Sequence, residues 1–120
     1  MATKAQLQQQ VGSDLALWKV LTSSGDDPSQ PHTIDRFFVA KEERPLCDLA
    51  HLAKILMYAP GAISQSQQAK FSLTITSQAT TAMLHNFVRE SILMYALAEA
   101  HGVEYAGWET AVVRVPANGT

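Results

Sequence analysis

The sequence has few of the residues that build cross-links or metal centres. It contains one cysteine, Cys47, in 120 residues, which excludes an internal disulfide and a cysteine-based zinc site. Its four histidines are scattered, and no two of them have the spacing of a helical ligand pair. Asp48 and His51 would share one helix face, but two ligands do not make a transition-metal site. We therefore expect no metal and no cofactor.

Charge of one sign is also scarce. Nine basic residues stand against 11 acidic ones, the net charge is −2, and the two signs are interspersed. No basic stripe is available to neutralise several phosphates or an anionic membrane surface, so neither direct nucleic-acid binding nor membrane binding is expected. No 18-residue apolar run occurs, and the first residues lack the apolar core of a secretory signal. We expect a cytoplasmic protein.

Motifs of well-known catalytic chemistry are missing. There is no glycine-rich dinucleotide fingerprint, no P-loop and no nucleophile elbow. Cys47 adjoins the apolar stripe of a predicted helix, with no motif that would supply a base. The adjacent acids Asp26 and Asp27 lie in a turn-forming segment, where such residues are usually solvated. These observations predict a protein that is not an enzyme.

What is present is the composition of a globular domain, with 47% hydrophobic and 17% charged residues. The length fits one domain, which we predict over residues 1–120 with a core at about 7–115. Apolar spacing predicts helices over residues 6–21, 42–58 and 80–101. Alternation and β-branched residues predict strands over residues 33–40, 62–64, 71–76 and 103–115.

The order of these elements indicates the fold class. Without the first helix the order is βαββαβ, the pattern of the ferredoxin-like sandwich. The predicted fold class is therefore α+β, a ferredoxin-like sandwich with an additional N-terminal helix at a sheet edge or against the open face. The first strand carries Ile34 and Phe38 on one side and Phe37 and Val39 on the other, which predicts that both faces are partly covered.

The last strand contains two aromatic residues between two acids. Tyr105 and Trp108 are flanked by Glu104 and Glu109. Packing within the sheet or at its edge is the favoured interpretation, and the alternative is that Trp108 is a partly exposed anchor for a partner. A role in stacking RNA bases would require basic residues beside the aromatic ones, and this strand offers only Arg114.

Two segments resemble one protein family. Residues 21–28 (LTSSGDDP), followed by 33–38 (TIDRFF), resemble the helix end, Asp-Pro turn and first strand of the RraB proteins, bacterial regulators of ribonuclease E. Residues 97–110 (LAEAHGVEYAGWET) resemble that family's most recognisable stretch even more closely. The order of elements is similar too, so the resemblance covers residues 7–113.

The resemblance implies a function as well as a fold. It implies a stoichiometric inhibitor that binds the basic scaffold region of ribonuclease E, restrains RNA cleavage and needs no cofactor. Members of the family are strongly acidic, which suits a basic partner, whereas this chain has a net charge of only −2. Motif position and charge lead us to predict six partner-binding residues: Asp26, Asp27, Asp35, Glu104, Trp108 and Glu109.

A second class of function stays open at this stage. Ferredoxin-like sheets carry many unrelated activities, so the alternative is a small-ligand-binding or enzymatic domain. Its site would form where His32, Arg36, Tyr105 and Trp108 converge on the open face of the sheet. Self-association through an exposed sheet face is compatible with either function.

Overall fold

The computed structural model describes residues 4–27, 31–66, 68–81 and 84–110. The described residues form three helices and five strands. In chain order these are α1 (Lys4–Ser23), β1 (Pro31–Ala40), α2 (Glu43–Ile55), β2 (Ala59–Pro60), β3 (Ser64–Gln65), β4 (Phe71–Thr81), α3 (Leu84–His101) and β5 (Glu104–Thr110). The predicted end of the last strand, residues 111–115, lies outside the described residues.

The strands form one antiparallel sheet in the order β2-β4-β1-β5, with β3 also paired to β4. β1 is central, with β4 on one side and β5 on the other. The α+β class is thus confirmed. The ferredoxin-like topology stays a prediction, because the strand expected at residues 62–64 is replaced by β2 and β3, which have two residues each.

Helices α2 and α3 end in the same backbone motif with different residues. Gly102 ends α3 with φ +66°, and Val103 N–H bonds to Ala98 C=O at 3.0 Å, as expected for a left-handed C-terminal cap. Met57 ends α2 with φ +71°, and Tyr58 N–H bonds to Ala53 C=O at 2.9 Å. The sequence predicts the first cap but misses the second, because a non-glycine residue rarely adopts this conformation.

The three helices all lie on one face of the sheet. On that face Phe38 packs with residues of α2 and α3, while Leu21 of α1 packs with Ile34, Phe87 and Trp108. Burying such apolar side chains stabilises the fold by roughly 1.5–3 kcal/mol each. The additional helix therefore belongs to the same layer as the other two.

The opposite face of the sheet, called the open face below, is covered by no helix among the described residues. Its side chains include the half-buried Phe37 and Val39 of β1, which alternate with the buried Ile34 and Phe38. The half-buried side chains of Phe37 and Val39 are consistent with the prediction that both faces are partly covered, although no described helix covers this one. Nor is any described helix long and apolar enough to cross a lipid bilayer.

Candidate functional site

Arg36 is the centre of a buried polar network on the helix-covered face. Its side chain is fully buried, and its Nη1 donates hydrogen bonds to Ser91 Oγ at 2.9 Å and to Tyr105 Oη at 2.8 Å. Nε donates to Glu90 Oε1 at 3.2 Å, and the guanidinium carbon lies 5.1 Å from the centre of the Phe87 ring. A buried cation needs such partners, because burying it alone would be very unfavourable.

Asp14 of α1 is the second carboxylate of this network. Its Oδ2 lies 3.6 Å from Arg36 Nη1 and accepts a hydrogen bond from the Tyr105 hydroxyl at 3.1 Å. Its Oδ1 accepts a bond from Gln10 Nε2 at 3.1 Å. Burial is the main cause that raises the pKa of Tyr105 above its ordinary value, so the phenol stays protonated and donates to Asp14. The network therefore fastens α1 to the sheet.

Glu90 of α3 connects the network to strand β4. Its Oε1 also accepts a hydrogen bond from Ser77 Oγ at 2.6 Å. We call this set of side chains the Arg36 network: Gln10, Asp14, Arg36, Ser77, Glu90, Ser91 and Tyr105. Arg36 Nη2 is buried and has no hydrogen-bond partner within the described ranges. Because the two carboxylates are held by Arg36 and by neighbouring hydroxyl and amide donors, this network acts as a structural tie.

A polar cleft of about 310 Å³ lies beside the network and is lined by Tyr58, Arg89 and Glu90, among others. Burial, followed by the charge of Glu90, raises the pKa of Tyr58. The Glu90 side chain is only 12% exposed, and its Oε1 is held by Arg36 and Ser77. The Oε1 atom of Glu90 is therefore already engaged within the protein.

Asp26 and His32 form a second buried polar group. Asp26 Oδ1 lies 2.6 Å from His32 Nε2, and both side chains are 0% exposed. The prediction of a solvated turn is therefore wrong for Asp26, because its carboxylate is buried in a contact with His32 of the following strand. Asp27 is half-buried.

Three of the predicted partner-binding residues lie together on the open face. Asp35 of β1 is directly opposite Glu109 of β5, and Glu104 lies four pairs further along these strands, opposite Val39. Both glutamates are exposed and Asp35 is half-buried. Asp35 Oδ1 accepts a hydrogen bond from Thr76 Oγ1 at 2.6 Å, and none of the three acids has an ion-pair partner within the described ranges.

Trp108 points to the other side of the sheet. It is 8% exposed, and its ring centre lies 4.7 Å from that of Phe87, so the prediction of packing within the sheet is confirmed. A strict alternation would place Tyr105 and Trp108 on opposite faces. Both are buried on the helix side because the register shifts in β5, where Gly107 has φ +118°, as in a glycine-containing bulge.

The residues of the small-ligand alternative are brought together only in part. Arg36 and Tyr105 are hydrogen-bonded, while His32 pairs with Asp26. Arg36, Tyr105 and Trp108 lie on the helix-covered face, and His32 is buried against Asp26, so the prediction that the four converge on the open face is wrong. No group of three or more metal-ligating side chains occurs in the part of the chain that the structure describes.

The sequence analysis misses Asp14 and Glu90. A signal for the first exists, because Asp14 stands three residues after Val11 and four before Trp18 and so lies on the apolar stripe of α1. Arg36 likewise shares a strand face with Ile34 and Phe38. An acid and a base at inward positions indicate a buried pair, which is the signal available here.

The fold and this geometry define a class of protein: an α+β domain with one helix layer, a structural polar network and an acidic open sheet face. The family model described as "RraB: Regulator of ribonuclease activity B" matches residues 14–110. The chain belongs to the RraB family, as its sequence motifs predict. None of the curated proteins matches it.

Proposed function

We propose that this chain is a cytoplasmic, non-catalytic regulator that binds ribonuclease E through the basic scaffold region of that enzyme and restrains RNA cleavage. The proposal treats residues 1–120 as one ferredoxin-like domain with an added helix. It rests on membership of a family described as regulators of ribonuclease activity. The single structural observation that supports it is the opposed pair of acids Asp35 and Glu109 on the open face, with Glu104 further along the same strands.

The position of the acids suits a basic partner. Asp35 and Glu109 are directly opposed on neighbouring strands, and like charges in that position destabilise a sheet. Cationic side chains of a partner would relieve this repulsion. Although the net charge of the whole chain is only −2, a local group of negative charges is sufficient to steer a cationic segment to one surface.

The buried polar groups favour a regulator over the small-ligand alternative. Arg36 and Asp14 are enclosed by their own partners, so they are not available to a substrate. Of the six predicted contact residues, Asp35, Glu104 and Glu109 are the best placed for direct contact. Trp108 and Asp26 are buried, and we assign them a supporting role beneath the surface.

A binding experiment across a salt series tests this proposal. The full chain would be titrated with ribonuclease E and with its isolated scaffold region, and RNA cleavage would be followed at increasing ratios of chain to enzyme. We expect saturable binding that weakens steeply as salt rises, and cleavage that falls until the ratio becomes stoichiometric. Absence of binding at low salt would refute the proposal.

Two charge-matched variants locate the contact. One combines Asp35→Asn, Glu104→Gln and Glu109→Gln on the open face. The control combines Glu43→Gln, Asp48→Asn and Glu99→Gln, which are exposed acids of α2 and α3. Both remove the same formal charge, so we expect at least about tenfold weaker binding for the first and at most about twofold for the control. Equal losses would show that only net charge matters.

A further inference from the structure

Among the described strands, β5 (Glu104–Thr110) is the edge strand of the sheet beside β1. It pairs with β1 and with no other described strand. In an antiparallel pair, alternate residues direct their N–H and C=O groups away from the partner strand. Such an edge is a template on which an extended chain can add as a further strand.

An apolar groove runs beside this edge. It has a volume of about 230 Å³ and is lined by Leu17, Val20 and Leu21 of α1 and by Trp108, Glu109 and Thr110 of β5, among others. We call it the α1–β5 groove. Leu17 is 48% exposed and Val20 60% exposed. The helix side of the groove therefore offers exposed apolar side chains to a chain that pairs with β5.

Trp108 supplies a second, independent observation. Its indole Nε1 is buried and has no hydrogen-bond acceptor within the described ranges, although the side chain lines the groove. Buried polar groups in proteins nearly always have a partner. A carbonyl oxygen of a segment in the groove reaches this buried donor only if the side chains around the indole move when the segment binds.

The acidic residues near β5 indicate which kind of chain can pair with this edge. Glu109 is the charged residue among those that line the groove, and Asp35 lies directly opposite it on β1. A second copy of this chain, added edge to edge, would bring Glu104 and Glu109 close to the same acids of its partner. Like charges in adjacent strands repel, so a basic segment fits the edge better than a second copy.

We propose that β5 and the α1–β5 groove receive an extended basic segment of a partner protein, which joins the sheet as an additional strand. Successive side chains of a strand point to opposite faces. One set of the segment's side chains therefore meets Leu17 and Val20, which line the groove together with the largely buried Trp108, and the other set meets the acids of the open face. The segment has apolar and basic residues in alternation. This inference rests on the proposed function, for which it supplies the docking surface.

Two probes test the inference with the full chain. The first is the scaffold region of ribonuclease E. The second is a blocked peptide of alternating lysine and valine, which presents the required chemistry without any ribonuclease. Its controls are a peptide of alternating glutamate and valine, and the lysine–valine peptide with N-methyl groups on alternate backbone nitrogens. Affinity and amide hydrogen exchange in β5 are the two readouts.

A pair of double variants locates the apolar contact. Leu17→Ser with Val20→Ser changes the groove, and Ile55→Ser with Leu56→Ser changes two apolar residues of similar exposure, 63% and 41%, at the end of α2. We expect the groove variant to bind each probe at least about tenfold more weakly, and the control to stay within about twofold. Thermal unfolding of both variants checks that they remain folded.

The expected result is slowed amide exchange in β5 with the lysine–valine peptide and with the scaffold region, and none with either control peptide. If the scaffold region binds the groove variant as tightly as the unchanged chain, the docking surface is wrong and the proposed function stands. If the peptide protects β5 but no ribonuclease binds, the proposed function is wrong and the surface stands. Binding of neither probe refutes both. Protection of β5 that rises with protein concentration alone would assign the edge to self-association.

Discussion

Strand β1 presents a base to one face of the sheet and an acid to the other, in consecutive residues. Arg36 is fully buried and bonded to Glu90, Ser91 and Tyr105. Asp35 is half-buried, accepts a bond from Thr76 and faces another acid, Glu109. The first side chain has its partners inside the protein, whereas the second lies beside a charge that repels it.

This difference separates structural charge from charge that is available to a partner. A buried charged group is tolerated only where fixed neighbours replace the lost water, and such a group has little left to offer a ligand. An exposed acid without a cationic neighbour keeps its hydration and its long-range field. The Arg36 network therefore connects α1, α3 and β4 to the central strand, and the acids of the open face are those that we propose for contact with a partner.

The largest expected effect comes from removing the cation of the network. Arg36→Met leaves Asp14 and Glu90 buried without their counter-charge, and we expect it to lower the free energy of unfolding by about 3–5 kcal/mol. Urea denaturation followed by circular dichroism would measure this loss. The neighbouring substitution Asp35→Asn is the control. If Arg36→Met lowers the free energy of unfolding by less than about 1 kcal/mol, the network does not contribute substantially to stability.

An intermediate effect is expected for the phenol that joins β5 to α1. Tyr105→Phe removes one bond to Arg36 and one to Asp14 and should lower the free energy of unfolding by about 1–3 kcal/mol at neutral pH.

The same substitution has a pH signature. The folded-state pKa of Tyr105 is raised, so the folded chain holds this proton more strongly than the unfolded chain does. The stability that results is fully present below the unfolded pKa of about 10 and is lost as the pH rises through the folded value. We therefore expect the unchanged chain to lose stability above about pH 10 more steeply than Tyr105→Phe. Parallel urea curves at neutral and alkaline pH test this, and equal slopes would contradict it.

The smallest expected effect lies on the open face. Asp35→Asn removes the repulsion between Asp35 and Glu109, at the expense of a weaker bond from Thr76. We expect a change within about 1 kcal/mol in the free energy of unfolding, in the stabilising direction at low salt. Thermal unfolding at low and high salt would measure it. A larger loss of stability would show that Asp35 stabilises the fold and is not free to contact a partner.

Local signals in the sequence foretell most of the elements. The three helices and the strands β1, β4 and β5 lie near the predicted positions, and the glycine cap at Gly102 was foreseeable from its position after the last turn of α3. The boundary between β4 and α3 was predicted wrongly, because β4 runs on to Thr81 and α3 begins only at Leu84. The two short strands and the cap at Met57 could not be foreseen, because each departs from the usual preference of its residues and depends on neighbouring segments. Asp35, Glu104 and Glu109 stay predicted contact residues, and the structure adds that they share one face.

The sequence by itself determined the order of the longer elements, the family and the absence of recognisable catalytic motifs, because periodicity, caps and short motifs are properties of adjacent residues. Only the tertiary structure decided that Tyr105 and Trp108 share a face, that Asp26 is buried and that Asp14 reaches Arg36. These outcomes depend on a strand bulge and on contacts between residues far apart in the chain. Whether a charged side chain can be buried depends on the partners that folding brings next to it, and a local sequence pattern does not reveal those partners.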